Sequence, residues 1–236
     1  MSGRLPTRLP ANRRDLALVL LKLYRHLEEC YGPQRWWPAE EPFEVMVGAI
    51  LTQSTAWINV EKAIANLKSA GSLSPAALRN LPLPELSRLI RPALYHNMKA
   101  LKLKALTEAL EPFGDDLDLF FAEEVGELRK RLLSIYGVGE ETADSIILYA
   151  AGKPIFVIDA YTRRILERLG LGPEKKAYSA YQALFMENLP STLTLFNEYH
   201  GLFVRHGKET CRSMPLCPSC CILEMCQYGQ RQNETV

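Results

Sequence analysis

The residues with the clearest capacity for chemistry are cysteines near the C-terminal end of this 236-residue chain. Four of the six cysteines follow the spacing Cys-x5-Cys-x2-Cys-x5-Cys, as Cys211, Cys217, Cys220 and Cys226. Four thiolates on one short loop suit either a tetrahedral zinc ion or a [4Fe–4S] cluster, since both accept soft sulfur ligands. The residues alone leave these two choices about equally open, and either metal would mainly stabilise the loop.

The remaining two cysteines, Cys30 and Cys221, fall outside this pattern. Adjacent Cys220 and Cys221 cannot easily both point into one cluster, so Cys221 is expected to point away from it. The simplest interpretation of Cys30 and Cys221 is that both are small buried apolar side chains.

A second candidate site is a Gly-x-Gly turn within residues 133–143, between two amphipathic segments. Gly137 and Gly139 allow positive φ and a close backbone approach, and the free amides of the next helix can bind a phosphate. A plain helix–helix turn is the alternative interpretation. Asp159 follows Glu141 by 18 residues, at a position where it can cap the next helix.

Helices are the elements that must position these residues. Apolar residues recur at helical spacing in several segments, and glycine and proline separate them. The segment Pro154–Ile158 is β-like but has no clear partner, so it is expected to be an extended connector. The sequence therefore predicts an all-α fold, with one helical face formed by Leu16, Val19, Leu20, Leu23 and Leu27 and others by Val125, Leu128, Leu132 and Ile135 and by Ala143, Ile146, Ile147 and Ala150.

Composition excludes two classes of protein. With 47% apolar and 23% charged residues, the chain is not expected to be disordered. Its longest apolar stretches are shorter than the roughly 20 residues that a membrane span needs. No secretion signal is recognisable, so we expect a cytoplasmic protein, associated with the nucleoid if bacterial. The net charge of +1 neither indicates nor excludes a nucleic-acid partner.

Together, the hairpin, Asp159 and the four cysteines resemble the endonuclease III branch of the helix-hairpin-helix DNA glycosylases. The resemblance covers roughly residues 35 to 228 and favours [4Fe–4S] over zinc. It implies a six-helix barrel domain at 35–152, and a helical domain at 1–34 and 153–236 that carries Asp159 and the iron–sulfur loop 211–226. A DNA-binding cleft is expected between these domains. The implied DNA contacts are Gln53, Gly137, Val138, Gly139 and Thr142.

Glu141 departs from the pattern of the bifunctional members of this family. Those members carry a lysine two residues after the second glycine, and its amine forms a Schiff base with the sugar. A carboxylate cannot form that imine. Asp159 matches the family aspartate, so the resemblance implies a monofunctional enzyme in which this residue assists water. AP lyase activity is not expected. Lys153 lies at a different position along the chain, so it is not expected to replace the lysine that is missing at position 141.

The tryptophans refine the resemblance. Trp36, Trp37 and Trp57 flank a Leu-Thr-Gln segment, an arrangement similar to that of 3-methyladenine DNA glycosylase III-type members. A hydrophobic core is the alternative interpretation of each tryptophan. In that group such aromatics line the pocket for a flipped base. The resemblance therefore implies a base pocket formed here by Trp36, Trp37, Trp57 and Glu141. Gln53 matches the glutamine that fills the gap in the duplex, although a surface or capping role is the simpler interpretation.

The sequence therefore predicts a monomeric, monofunctional DNA glycosylase of base excision repair. It would act on double-stranded DNA and hydrolyse a 3-methyladenine-like alkylated purine, with Asp159 as the catalytic residue. One alternative is a bifunctional endonuclease III-type glycosylase and AP lyase acting on damaged pyrimidines. Another is a non-catalytic iron–sulfur module that binds DNA.

Overall fold

The structure is a computed structural model that describes residues 13–37, 39 and 41–233. Over these residues the regular structure is helical and contains no β-strand, which confirms the predicted all-α fold. Short 3₁₀ turns occur at Arg91–Ala93, Glu111–Phe113, Cys217–Ser219 and Leu223–Met225. The α-helices are α1 (Arg13–Tyr31), α2 (Pro42–Leu51), α3 (Trp57–Ser69), α4 (Pro75–Asn80), α5 (Leu83–Leu89), α6 (His96–Leu110), α7 (Leu117–Phe121), α8 (Val125–Ser134), α9 (Glu140–Tyr149), α10 (Ala160–Leu169), α11 (Tyr178–Met186), α12 (Leu193–Glu209) and α13 (Gln227–Asn233).

The helices divide into two compact units. One is Trp37–Lys153, which we call the hairpin unit, and it contains α2 to α9. The other combines the described residues of Met1–Trp36 with those of Pro154–Val236, and we call it the cysteine unit. The domain boundaries expected from the sequence stay a prediction, and their residues 1–12 lie outside the described part of the chain.

Helix α2 forms the centre of the hairpin unit. Its residues from Phe43 to Leu51 are all buried, and the helix contacts α3, α6 and α9. A helix that is apolar on every side requires neighbours all around it. The one charged residue in this stretch, Glu44, forms an ion pair with Lys68 at 3.0 Å, so its carboxylate is compensated.

Lys99 on α6 joins two turns of the hairpin unit. Its buried ammonium donates hydrogen bonds of 2.6–2.7 Å to the carbonyls of Leu51 and Ala93 and to the Thr55 hydroxyl. Burial lowers the pKa of Lys99 to about 8. One turn contains Ser54 and the other contains Leu94 and Tyr95. All three residues have a positive φ, of 53°, 55° and 44° respectively. Such backbone strain persists only where the surrounding structure fixes it, and Lys99 supplies that restraint.

The cysteine unit packs α1 and α10 against α12. The predicted apolar face of α1 is buried at Leu16, Leu20, Leu23 and Leu27, while Val19 is half-buried. The Tyr199 hydroxyl on α12 donates to the Leu20 carbonyl at 2.8 Å. Aromatic side chains complete the core of this unit, among them Phe156, Phe185, Phe196, Tyr199 and Phe203.

The segment before Asp159 is an extended connector, as predicted. Side chains of α11 satisfy its backbone: Gln182 donates to the Phe156 carbonyl at 2.8 Å, and the Ile158 amide donates to the Tyr178 hydroxyl at 3.2 Å. These bonds replace the partner strand that an extended buried segment otherwise needs. The connector therefore delivers Asp159 to the start of α10 in a fixed position.

A membrane-spanning helix would need more length and apolar character than any helix in the described part of the chain has.

Candidate active site and cysteine loop

The predicted hairpin consists of α8, a turn at residues 135–139, and α9. Gly137 has a φ of 82°, and a Cβ placed there would lie 2.3 Å from Cγ of Lys102. Both the backbone conformation and the close contact therefore require glycine at this position. Gly139 is the N-cap of α9, and a Cβ there would meet no atom within 4 Å. The start of α9 is consequently open beside Gly139.

A buried ion pair fixes the two helices of the hairpin. Arg129 on α8 binds both carboxylate oxygens of Asp144 on α9, at 2.7 and 3.2 Å. The Asp144 side chain is fully buried, so this two-pronged pair strongly restrains the angle between the helices. Arg129 also lies 3.4 Å from Glu140, which offsets one of the two acidic charges at the start of α9. The other is the exposed Glu141.

Gln53 connects the end of α2 with the hairpin. Its amide nitrogen donates to the Gly137 carbonyl and to the Thr142 hydroxyl, both at 3.0 Å. Its amide oxygen accepts a hydrogen bond from Lys102 at 2.5 Å. Filling a gap in a duplex with Gln53 would require breaking these three bonds. Ser54, exposed with a φ of 53°, is the side chain presented at the tip of this turn.

Two of the three tryptophans contact one another. The rings of Trp37 and Trp57 lie 5.2 Å apart, nearly perpendicular, and Tyr149 lies 5.1 Å from Trp37. Gly48 on α2 lies beside both rings, since a Cβ at that position would be in ordinary contact with Trp37 at 3.4 Å and with Trp57 at 3.7 Å. The hairpin unit thus contains an aromatic group formed by Trp37, Trp57 and Tyr149.

Trp36 belongs to the cysteine unit and has different neighbours. Its Cβ would lie 2.9 Å from a Cβ added at Gly201 on α12, so the glycine permits this packing. The ammonium of Lys208 lies 5.2 Å from the centre of its ring, within the range of a cation–π contact. Within the cysteine unit, Trp36 therefore packs against α12, which supplies both Gly201 and the Lys208 ammonium.

Asp159 caps α10 in the cysteine unit. Its Oδ1 accepts a hydrogen bond from the Thr162 amide at 2.7 Å, and the residue is only 9% exposed. The positive end of the helix stabilises a carboxylate at this position. Its other oxygen, Oδ2, lies 3.8 Å from Nε2 of His200 on α12. Capping therefore occupies one oxygen of Asp159, and His200 lies next to the other.

His200 is neutral at pH 7. It is 4% exposed, and burial lowers its pKa below the ordinary value of 6.5, an effect that Asp159 partly opposes. A neutral imidazole cannot cancel the charge of Asp159 as an imidazolium would. The geometry thus holds the Asp159 carboxylate in place between the start of α10 and His200.

The four cysteines of the predicted loop line one cavity. Cys211, Cys217, Cys220 and Cys226 surround it, together with residues that include Arg168 and His206. Backbone and side-chain groups also approach the sulfurs: Arg168 donates to Cys211 at 3.3 Å, and the Gly229 amide donates to Cys226 at 3.4 Å. Nε2 of His206 lies 3.9 Å from the Cys220 sulfur.

This donor set fits an iron–sulfur cluster. Four cysteine thiolates around one space, with N–H groups directed at the sulfurs, match the way proteins hold and tune such clusters. The side-chain positions do not yet form such a site: among the residues that the structure describes, no three or more His, Cys, Asp or Glu side chains are arranged so that they could hold a metal ion. Both [4Fe–4S] and zinc therefore stay predictions.

The structure corrects the expectation for the two remaining cysteines. Cys30, in the last turn of α1, and Cys221 are both exposed, whereas the sequence suggested buried side chains. Cys220 lines the cavity, whereas its neighbour Cys221 is not among the lining residues. Burial of a small apolar residue is thus not the reason for a cysteine at either place.

Comparison with known proteins defines the class. Residues 47–191 match the model of the HhH-GPD superfamily of base excision DNA repair proteins. The chain belongs to this superfamily and is a DNA glycosylase of that class.

The relatives agree with this assignment. A Methanocaldococcus jannaschii protein, provisionally named a DNA repair glycosylase, is 46% identical over 88% of this chain and 96% of its own length. The structure of 3-methyladenine DNA glycosylase from H. pylori, bound to 1,N6-ethenoadenine, has a TM-score of 0.70 and 27% identity, covering 84% of this chain and 98% of that one. A non-covalent endonuclease III–DNA complex has a TM-score of 0.80 at 21% identity, covering 92% of this chain and 98% of that one, and shows the same fold.

Several residues that shape the site were not identified from the sequence. Tyr149 and His200 belong to no sequence pattern that marks them as part of a site. Lys102 and the pair Arg129–Asp144 received no role. A polar Asp144 inside the apolar run of α9 was a usable signal, because a buried carboxylate requires a partner. No comparable signal distinguished the other residues.

We predict that Gln53→Ala loosens the hairpin. Losing the three hydrogen bonds of this amide should destabilise the turn by about 1–3 kcal/mol. Amide hydrogen exchange of residues 137–142 should then be faster, measured by mass spectrometry on the intact protein. Ser54→Ala is the matched control, since it alters the exposed neighbour. Equal exchange in the two variants would show that Gln53 does not support the hairpin.

We predict a pH-dependent contribution of His200 to stability. Because its folded pKa lies below 6.5, the unfolded chain binds the proton first as the pH falls. The free energy of unfolding should therefore decrease as the pH drops below about 6.5, and His200→Asn should reduce that decrease. Urea unfolding at pH 7.5 and 5.0 measures it, with the surface variant His26→Asn as control. An unchanged pH dependence in His200→Asn would contradict a buried neutral histidine.

Proposed function

We propose that this chain is a monofunctional DNA glycosylase that releases an alkylated purine from duplex DNA. The observation that carries the proposal is the combination of a charged, immobilised Asp159 with a carboxylate, Glu141, at the hairpin position where bifunctional relatives have an amine. The first group can stabilise a cationic sugar, and the second cannot form a covalent imine. Base release by water is the chemistry that remains.

The aromatic group supports a cationic base as the substrate. An N3- or N7-methylated purine carries a positive charge, and aromatic faces favour a flat cation by roughly 0.5–2 kcal/mol. Trp37, Trp57 and Tyr149 provide such faces, and we assign the base pocket to them together with the predicted Trp36 and Glu141. The H. pylori relative carries 3-methyladenine in its name and was solved with an adenine derivative, which favours the same substrate class.

The proposed reaction proceeds by departure of the base and attack of water. A cationic purine is a good leaving group, so little acid catalysis is needed. As the bond between base and sugar breaks, positive charge develops on the sugar, and the negative charge of Asp159 stabilises it. Water then adds to the sugar carbon, and Asp159 assists removal of its proton.

The lysines of the hairpin unit support a reaction without an amine nucleophile. Lys153, the nearest alternative to Glu141 in the sequence, donates to the Glu123 carbonyl at 2.8 Å. Lys99 is buried with three oxygen acceptors, and Lys102 is bound to Gln53. Each of these amines already has a structural partner.

The hairpin is the proposed DNA contact. The open start of α9 can bind a phosphate through backbone amides at Gly137, Gly139 and Thr142. Val138 belongs to the same proposed contact, but its own amide already donates to the Ile135 carbonyl at 3.1 Å. Arg129 reduces the repulsion that Glu140 would otherwise exert on that phosphate. Gln53 holds this turn in place, and its neighbour Ser54 is exposed. We propose a monomer acting on double-stranded DNA that contains a damaged base.

We also propose a [4Fe–4S] cluster held by Cys211, Cys217, Cys220 and Cys226, with zinc as the alternative. Such a cluster would supply structural cross-links between the end of α12 and the C-terminal segment. Arg164 prepares this arrangement, because it donates to the carbonyls of Cys211 and Gly207 at 2.8 and 2.9 Å.

We predict that Asp159→Asn abolishes base release but preserves DNA binding. Asparagine caps a helix as well as aspartate does, so α10 should form normally while the negative charge is lost. Release of free 3-methyladenine from methylated DNA should fall by about 100-fold or more. Asp116→Asn, which changes the equivalent cap of α7, should remain active. Normal release by Asp159→Asn would disprove the assignment.

We predict that borohydride traps no covalent complex between this protein and DNA. The trapping reaction reduces an imine, and Glu141 cannot form one. The assay uses methylated DNA and DNA with an oxidised pyrimidine, with an endonuclease III as positive control. A trapped adduct on either DNA would identify the bifunctional alternative and leave the class of the protein unchanged.

We predict a brown protein with broad absorbance near roughly 400 nm, from iron–thiolate charge transfer. Cys220→Ser should bleach the colour or destabilise the protein, whereas Cys221→Ser should keep the colour. Elemental analysis after anaerobic purification checks the metal directly. Zinc in place of iron, or a requirement for Cys221 and not Cys220, would contradict the cluster assignment. The proposed glycosylase reaction would be unaffected by either result.

A further inference from the structure

Residues 32–36 follow α1 and end at Trp36, and we call them the tryptophan segment. They have no regular secondary structure, but Glu198 on α12 binds their backbone with both of its carboxylate oxygens. The Gln34 amide donates to Oε2 at 2.6 Å, and the Arg35 amide donates to Oε1 at 2.8 Å. Hydrogen bonds to an ionised acceptor are among the stronger ones in proteins. One side chain therefore fixes two consecutive peptide groups of the segment.

The backbone conformation of the tryptophan segment requires this support. Arg35 has a φ of 46°, in the left-handed region that a residue with a side chain rarely adopts. Such a conformation persists only where the surrounding structure holds it. Two successive amides directed at one point form a concavity that binds an anion, and here the anion is the Glu198 carboxylate. The supported residue directly precedes Trp36, so Glu198 acts where the direction of the tryptophan is set.

Other residues of α12 reinforce this restraint. Four residues, spaced three, four and three positions apart on one face of the helix, approach the tryptophan segment or the end of α1: Glu198, Gly201, Arg205 and Lys208. A Cβ at Gly201 would lie 2.9 Å from Cβ of Trp36 and 3.1 Å from Cβ of Gln34. Arg205 donates to the Tyr31 carbonyl at 2.9 Å, and the Lys208 ammonium lies 5.2 Å from the centre of the Trp36 ring. This face of α12 therefore holds the segment through several different contacts.

We propose that Glu198 is a positioning residue for the base pocket and that it acts through Trp36. The proposal rests on the proposed function, in which Trp36 belongs to that pocket. Glu198 fixes the peptide groups that lead to Trp36, so the ring is in place before a flipped purine arrives. Misplacement of a reacting group by about 1 Å can reduce a rate by roughly 100-fold. Loss of Glu198 should therefore slow base release although this side chain does not touch the base.

A purely structural role of Glu198 predicts a different result. In that case, removing Glu198 should act like removing any other carboxylate that has two hydrogen-bond partners in the same unit. Glu167 on α10 provides the comparison, because it accepts a hydrogen bond from Lys176 at 2.6 Å and another from the Tyr181 hydroxyl. None of these three residues belongs to the tryptophan segment. Glu167→Ala is therefore the matched control.

The first test measures the environment of Trp36 in the full-length protein. The chain has three tryptophans, so labelling with 5-fluorotryptophan gives three fluorine resonances, and Trp36→Phe identifies the one from Trp36. This resonance should shift or broaden in Glu198→Ala. The change should be smaller in Glu198→Gln, which keeps one oxygen to accept an amide, and absent in Glu167→Ala. An unchanged Trp36 resonance in Glu198→Ala would overturn the proposal.

The second test measures release of free base from methylated DNA under single-turnover conditions. Glu198→Ala should lower the rate constant by about 10- to 100-fold. Its affinity for DNA should be unchanged, because the proposed DNA contacts lie in the hairpin unit. Glu198→Gln should lie between Glu198→Ala and the wild type, and Glu167→Ala should match the wild type. Equal rates for the wild type and Glu198→Ala, or an equal loss in Glu167→Ala, would contradict a positioning role.

Gly201→Ala tests the same contact without removing a hydrogen bond. Alanine favours a helix over glycine, so α12 should form normally, while the added Cβ should displace Trp36. We expect both a shifted Trp36 resonance and slower base release, and wild-type behaviour in both measurements would contradict the role of α12. If the wild type releases no methylated base, the proposed function is wrong. The fluorine resonances alone then decide whether Glu198 positions Trp36.

Discussion

The Asp159 carboxylate is buried at the start of α10, and groups from α10, α11 and α12 determine its position and surroundings. The extended connector fixes the approach to Asp159, because α11 side chains satisfy the backbone at Phe156 and Ile158. The Thr162 amide and the helix end favour the anion. His200 fills the space beside the second oxygen without supplying a competing positive charge.

The hairpin unit solves a different problem, which is to hold an open turn rigid. The start of α9 can offer amides to a phosphate only if other groups support the turn from within. Gln53, just after α2, binds the turn, and Lys102 on α6 donates to Gln53 in its place. The pair Arg129–Asp144 fixes the two helices of the hairpin. Because these polar groups are satisfied inside the protein, the turn itself can remain exposed.

Sequence and structure agree where local patterns determine the result. The buried face of α1, the glycine at 137 and the cap at Asp159 follow from helical periodicity, a positive φ and helix-end chemistry. The sequence also identified the cysteines that line one cavity. Each of these features depends on residues close together in the chain.

Contacts between distant residues could not be predicted in the same way. The proximity of His200 to Asp159 and of Tyr149 to Trp37 arises only when elements far apart in the chain pack together. Exposure of Cys30 and Cys221 contradicts the usual tendency of cysteine to be buried, and no local pattern signals it.

In the proposed reaction, positive charge develops on the sugar before water adds, and the Asp159 carboxylate stabilises that charge. The secondary hydrogen isotope effect at the sugar carbon bonded to the base tests this most directly. It is measured under single-turnover conditions on DNA that contains a methylated purine. We expect a clear normal effect, because the carbon becomes flatter and cationic before water adds. An effect near unity would indicate that a nucleophile attacks as the base departs, which would contradict the role given to Asp159.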